Sequence, residues 1–142
     1  DSDEEKVSVE TEYEYLKSYI DLQKKRFENS IRITVDISEN LPNRKIEPML
    51  LIPLVENAFK HGTNSVNKPQ IDIFLNCEND LLNLTVVNSK NEVPKSSDKR
   101  NSGIGLENLR RRLDLLYFQR YSLVLDDEVN QYKAILTINL SE

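Results

Sequence analysis

Apolar and polar residues alternate along this chain with two periods, and the switches between them outline the elements. Tyr13, Leu16, Ile20 and Phe27 recur near helical spacing among charged neighbours, so residues 9–28 are predicted to form a helix. IRITVDI, 31–37, alternates Ile31, Ile33, Val35 and Ile37 with polar positions and reads as a half-buried strand. ENLPNRKIEP, 39–48, is a connection. A second helix is expected from Pro48, suited to a first helical turn, to Gly62, expected as a left-handed cap. TNSVNKPQ is turn-rich, and QIDIFLNC and LLNLTVVN then read as a hairpin around Glu78-Asn79-Asp80. Residues 91–102 hold one apolar side chain, Val93, and are expected to be a long polar loop of the kind that carries function. GIGLENLRRRLDLLYFQRY gives a third helix with Leu106, Leu109, Leu113 and Leu116 on one stripe; SLVLDDE and YKAILTINL close a second hairpin.

The order helix, strand, helix, two strands, loop, helix, two strands points to an α+β fold, a two-layer α/β sandwich with a mixed sheet and helices on one face. The first helix precedes the first strand, carries its own stripe and is expected to lie outside that layer pair. Tyr13, Tyr15 and Tyr19 are expected to pack between helices.

Length and charge narrow the function. At 142 residues the chain is one domain long. A net charge of −5 argues against nucleic acid as main partner, because phosphate contacts need clustered Lys and Arg. Part of that excess is the DSDEE opening, expected as a frayed terminus. One cysteine, Cys77, excludes an internal disulfide and sits in an apolar setting. No apolar run is long enough to span a membrane.

The candidate chemistry lies in LVENAFKHG, 54–62. At 100° per residue, Leu50, Leu51, Leu54, Val55, Ala58 and Phe59 share a broad face, and Glu56 and Lys60 lie opposite. Asn57 and His61 stack at the margin of the apolar stripe. A half-buried amide there can ligate Mg²⁺ or bind a ligand, and Lys60 offers a mobile charge suited to phosphate. The blander reading is a helix end whose Asn and His only cap carbonyls. In NSGIGLENL, Gly103 and Gly105 stand between the polar loop and a helix start, where backbone N–H groups can meet an anion. Lys95, Lys99 and Arg100 lie in that loop and could add contacts. The plain alternative is a tight turn. Arg110, Arg111 and Arg112 read as a solvated helix face, with Arg110 a candidate to reach the loop or the first helix.

Together LLIPLVENAFKHG and SGIGLENLRRRLDLLY resemble the N box and second glycine box of sensor histidine kinases, in the superfamily of gyrase, heat-shock chaperone, histidine kinase and mismatch-repair ATPases (GHKL, the Bergerat fold). The wording is most similar to the LytS-like branch, and VSVETEYEYLKSYIDLQKKRF is similar to the helix preceding the ATPase domain there. The resemblance implies a helical end of a dimerisation and phosphoacceptor region, 1–29, and an ATP-binding catalytic domain, 30–142. It implies ATP and Mg²⁺ as cofactors, with Asn57 the metal ligand and Glu56 the acidic residue that polarises the attacking group. Lys60 and His61 match positions near phosphate or ribose, and Gly103, Ile104, Gly105 and Leu106 match the segment that closes over the phosphates. The family's Asp-x-Gly-x-Gly is replaced by Asn88-Ser89-Lys90-Asn91, so Asn88 stands where an aspartate meets the adenine amine, and both glycines are missing.

The resemblance further implies a protein histidine kinase acting in a two-component phosphorelay. The phosphoryl group would go to a histidine upstream of this chain, since His61 is the only histidine and lies in the N box. The implied partners are the upstream phosphoacceptor helix, a response regulator and a second copy in a homodimer. The implied location is cytoplasmic, in a protein anchored in the bacterial inner membrane. Two rival readings remain: a nucleotide-deficient module of the same fold that relays signals by helix contacts, and a serine kinase or ATPase of the same superfamily.

Overall fold

A computed structural model describes residues 5–62, 68–90 and 96–141, with side chains of 96–104 left undescribed. Strand β1 (Val7–Ser8) leads into helix α1 (Val9–Phe27), a 3₁₀ turn (Glu28–Ser30), β2 (Arg32–Ile37) and β3 (Lys45–Ile46). Helix α2 (Ile52–His61), β4 (Gln70–Glu78), β5 (Leu81–Ser89), helix α3 (Ser96–Leu116), β6 (Tyr121–Asp127) and β7 (Gln131–Asn139) follow. The main sheet has the order β2-β4-β5-β7-β6; β2 pairs with β4 in parallel and the other neighbours are antiparallel. This is the expected α+β fold with a mixed sheet.

Register makes the buried face a set of rows. Val35, Ile73, Val86, Ala134 and Leu125 align across the five strands, as do Ile37, Leu75, Leu84, Leu136 and Leu123. Most of these side chains join one core with Leu54, Val55, Ala58 and Phe59 of α2 and Leu106, Leu109 and Leu113 of α3. Val9, Tyr13, Leu16 and Ile20 of α1 are buried in the same core. Phe59 meets α1 directly, stacked on Phe27 with centroids 5.9 Å apart and edge-on to Tyr19 at 6.3 Å. Tyr13 and Tyr19 therefore pack between elements, whereas Tyr15 faces solvent at 44 % exposure.

Three expectations are corrected. Helix α2 begins at Ile52, with Pro53 in its first turn, because the backbone breaks at Met49, whose φ is 63°. A non-glycine residue in the left-handed region cannot continue a right-handed helix from Pro48. Gly62 has φ −98°, so it is not a left-handed cap. Helix α3 starts at Ser96, so the second half of the expected polar loop is helical and Gly103 and Gly105 lie inside the helix. Inside the helix the N–H groups of that segment bond to carbonyls one turn back.

The 63–67 part of the turn-rich connection, the 91–95 part of the polar loop with Lys95, and most of the acidic opening lie outside the described residues. No helix among the described residues is long and apolar enough to cross a membrane. Cys77 is buried, and burial raises its thiol pKa, with Asp80 adding to the effect. The small-core-residue reading fits.

Candidate nucleotide site

The α2 helix and the end of β5 form one wall. On α2, Leu54, Val55, Ala58 and Phe59 are buried, Asn57 and His61 are half-buried, and Glu56 and Lys60 are exposed. Period 3.6 thus divides the helix as its sequence divides it, with the amide and imidazole on the boundary. Glu56 lies on the α1 side, since its charge adds to the burial that raises the Tyr19 pKa.

Strand β5 supplies the second polar group. Leu82, Leu84, Val86 and Asn88 alternate onto the face that meets the helices, and Asn88 is only 2 % exposed. A buried amide completing a row that otherwise reads Ile33, Ile71 and Tyr132 is a costly choice unless it bonds something. Its Nδ2 donates to the Ser89 carbonyl at 3.0 Å, which leaves Oδ1 as the acceptor of that side chain. An amide oxygen accepts from an amine more weakly than a carboxylate does.

Gly62 joins the two. A Cβ at this position would stand 2.7 Å from the Ala58 carbonyl oxygen and 2.7 Å from Asn88 Cβ. The end of α2 therefore lies directly against the Asn88 side chain, an approach only glycine permits. Along the helix axis Asn57 is roughly 7.5 Å from Gly62, at 1.5 Å per residue. One wall thus carries an amide at its edge, an imidazole near its end and a buried amide against its tip.

The other candidate wall is in a different state. Gly103, Ile104, Gly105 and Leu106 fall inside α3, where N–H groups bond carbonyls one turn back and do not present themselves to an anion. Leu106 is buried in the core, and nothing lies within 4 Å of a Cβ built on Gly105. Ile104 is described only as helical backbone.

Several polar groups that sequence reasoning passed over, or placed elsewhere, surround the start of α2. Glu12, 1 % exposed, accepts hydrogen bonds from the N–H groups of Met49, Leu50 and Leu51 at 3.0, 3.0 and 3.3 Å. Arg112 donates to the Met49 and Pro48 carbonyls at 3.1 and 3.0 Å, and the Tyr117 hydroxyl accepts from Glu47 N–H at 3.0 Å. Arg110, a candidate for the loop or the first helix, donates to the Leu123 carbonyl on β6 at 3.2 Å. The only signal for Glu12 in the sequence is its place four residues before Leu16, on the flank of the apolar stripe of α1.

Known proteins agree with this architecture. No family model matches the chain. It is 28% identical over 123 residues to the sensor protein LytS of Enterococcus faecalis, covering 78% of this chain and 21% of that protein. It is 25% identical over 130 residues to the sensor histidine kinase BtsS of Escherichia coli, covering 91% of this chain and 23% of that protein. Among solved structures, the catalytic domain of the histidine kinase ThkA superposes with a TM-score of 0.63 at 16% identity, covering 95% of each chain. The relatives are sensor histidine kinases and the fold is that of a histidine kinase catalytic domain. The chain spans about a fifth of the length of the curated relatives it matches.

Proposed function

We propose that this chain is the ATP-binding catalytic segment of a two-component sensor histidine kinase, with residues 1–29 as the end of the helical phosphoacceptor region and 30–142 as the catalytic domain. The γ-phosphoryl of ATP passes to a histidine outside these residues. The observation that carries the reading is the buried Asn88 pressed against Gly62, at the tip of the helix that holds Asn57. An apolar core gains nothing from that arrangement, and an adenine amine would supply the donor Asn88 Oδ1 can accept.

The residues fit the implied groups. Asn57, at the rim of the core and open on one side, offers a carbonyl oxygen of the kind that binds a hard cation. Mg²⁺ held by Asn57 would neutralise phosphate charge during transfer. Lys60, exposed on the next turn, can follow a phosphate as a mobile cation. Glu56, exposed beside it, is free to polarise an incoming imidazole. For the N–H groups of residues 103–106 to bind phosphate, the first turns of α3 have to unwind. The partners of the full-length protein are then the phosphoacceptor helix, a response regulator and a second copy, and its location is the cytoplasmic side of a bacterial inner membrane.

One observation favours the rival interaction module, namely the helical state of residues 103–106. Thermal unfolding with Mg-ATP decides between them. A ligand at 100 times its dissociation constant stabilises the native state by about 2.7 kcal/mol. Wild type is expected to show such a shift, and Asn57→Ala to lose most of it while keeping its ligand-free midpoint. Absence of any shift in wild type at millimolar nucleotide would select the module.

A further inference from the structure

The turn that starts α2 is held from two other helices, and neither hold is needed merely to terminate a loop. Glu12 projects from α1 with both carboxylate oxygens engaged: Oε1 accepts from Met49 N–H, and Oε2 accepts from Leu50 and Leu51 N–H. Arg112 projects from α3 and holds the opposite side of the same turn by the Pro48 and Met49 carbonyls. Tyr117, just beyond α3, adds its hydroxyl to Glu47 N–H. Met49 is held left-handed in the middle, at φ 63°, a conformation that costs a non-glycine residue energy and persists only where surroundings dictate it. Leu51, at the N-cap of α2, makes no side-chain cap of its own, so the negative charge favoured at this helix start comes from Glu12.

We propose that this turn is a coupling clasp, with Glu12 and Arg112 as positioning residues through which α1, α2 and α3 set one another's placement. The inference rests on the nucleotide reading above. Helix α2 carries Asn57 and α3 carries the glycine segment, so a nucleotide that draws on both acts further along two helices joined at this turn. Displacing α1 withdraws three acceptor contacts from the start of α2. Conversely, binding at Asn57 and unwinding the start of α3 alters the load on the turn. Reciprocity is required: whatever free energy nucleotide spends on the clasp, the clasp returns in nucleotide affinity.

The test uses residues 1–142 and combines Mg-ATP calorimetry with amide hydrogen exchange. In wild type, nucleotide is expected to change the exchange rates of Met49, Leu50 and Leu51 at least fivefold. Glu12→Gln keeps the side-chain shape but turns an N–H₂ group toward backbone donors. It is expected to weaken Mg-ATP binding at least fivefold with helical circular dichroism retained, and to abolish the nucleotide-dependent exchange change. Arg112→Gln gives the same pattern from the other side and carries the test if Glu12→Gln does not fold. A structural capping role alone would lower the melting point and leave affinity and the exchange response intact. If wild type binds Mg-ATP, exchange at 49–51 is indifferent to it, and the folded variant binds within twofold of wild type, the clasp is overturned while the nucleotide site stands. If wild type binds no nucleotide, both fall.

Discussion

Gly62 and Gly105 stand on the two walls of the candidate nucleotide site, and their surroundings are opposite. Gly62 is walled in by the Ala58 carbonyl and the Asn88 side chain, both at 2.7 Å from where a Cβ would sit. Gly105 lies in a helix with open space where its Cβ would be. The first glycine is therefore a packing requirement of the fold as it stands. The second has no requirement in this conformation, and a glycine within a helix costs about 1 kcal/mol relative to alanine. The difference separates a wall already assembled, made of α2 and the end of β5, from a wall whose residues suit some other arrangement than the one they occupy.

Breaking the clasp above the assembled wall has the largest expected effect. Glu12→Ala would strand two buried N–H groups and a half-buried one, and hydrogen bonds to charged groups contribute about 1.5–3 kcal/mol each, so destabilisation of several kcal/mol is expected in urea unfolding. Gly62→Ala comes next. The clash is with a backbone oxygen and the stem of a buried side chain, neither of which can swing aside, and overpacking of this kind costs about 1–3 kcal/mol. Nucleotide affinity should fall with it, because relief of the clash has to push the tip of α2 away from Asn88. An alanine variant as stable as wild type would show that the assembled wall yields easily, and the contrast between the two glycines would disappear.

These same places show what a sequence displays and what it hides. Strands 31–37, 70–77 and 81–88 were readable because alternation survives wherever one sheet face is buried. Asn88 falls on the buried beat of LLNLTVVN, so its burial was implicit in that alternation. The start of α2 was not readable: PMLLIPL, 48–54, is apolar throughout, and Pro48 and Pro53 are equally good first-turn residues until tertiary contacts choose. The two-residue strands β1 and β3 are too short to show any period. Glu12 looks like one more charge on a solvated helix, and nothing in the run Arg110-Arg111-Arg112 distinguishes the last arginine, which holds two carbonyls, from the middle one, which pairs with Glu107 at 3.9 Å on the surface. Paired glycines before a leucine stripe favoured a loop by propensity; the extended α3 overrides that preference in the structure.

Gly105→Ala sharpens the comparison with a smaller effect of opposite sign. Placing a better helix former in open space is expected to raise ligand-free stability by about 0.5–1 kcal/mol. If the start of α3 must unwind to bring its N–H groups to phosphate, the same free energy is charged to binding. Mg-ATP affinity then falls by up to about fivefold, since 1.4 kcal/mol is tenfold. Calorimetry and urea unfolding on one variant give both numbers. Greater stability with unchanged affinity would mean that nucleotide, if it binds, leaves α3 helical.

The smallest effect is expected far from either glycine, at the turn joining β4 to β5. Asn79 and Asp80 both adopt positive φ, 52° and 67°, as a tight hairpin turn requires. Asp80 meets Arg44 through two parallel hydrogen bonds, Nε to Oδ1 at 3.0 Å and Nη2 to Oδ2 at 2.9 Å. Arg44 also lends its carbonyl to Val9 N–H at 3.1 Å, so this pair ties the hairpin to the start of α1. The Arg44 hydrogen bonds hold the Asp80 carboxyl below its ordinary pKa of 3.8. A carboxylate whose pKa is lower folded than unfolded stabilises the fold above its unfolded pKa, and that contribution is lost as pH falls through the folded value. Wild type should therefore lose stability below about pH 4, the ordinary carboxylate range, more steeply than Asp80→Asn, with the two curves parallel at neutral pH. The pair is partly exposed, with side chains 34% and 30% accessible, and salt should shrink the difference. Mg-ATP affinity at pH 7 should stay within twofold. A larger loss would mean that the hairpin end communicates with Asn88 along β5, and that the assembled wall extends the full length of that strand.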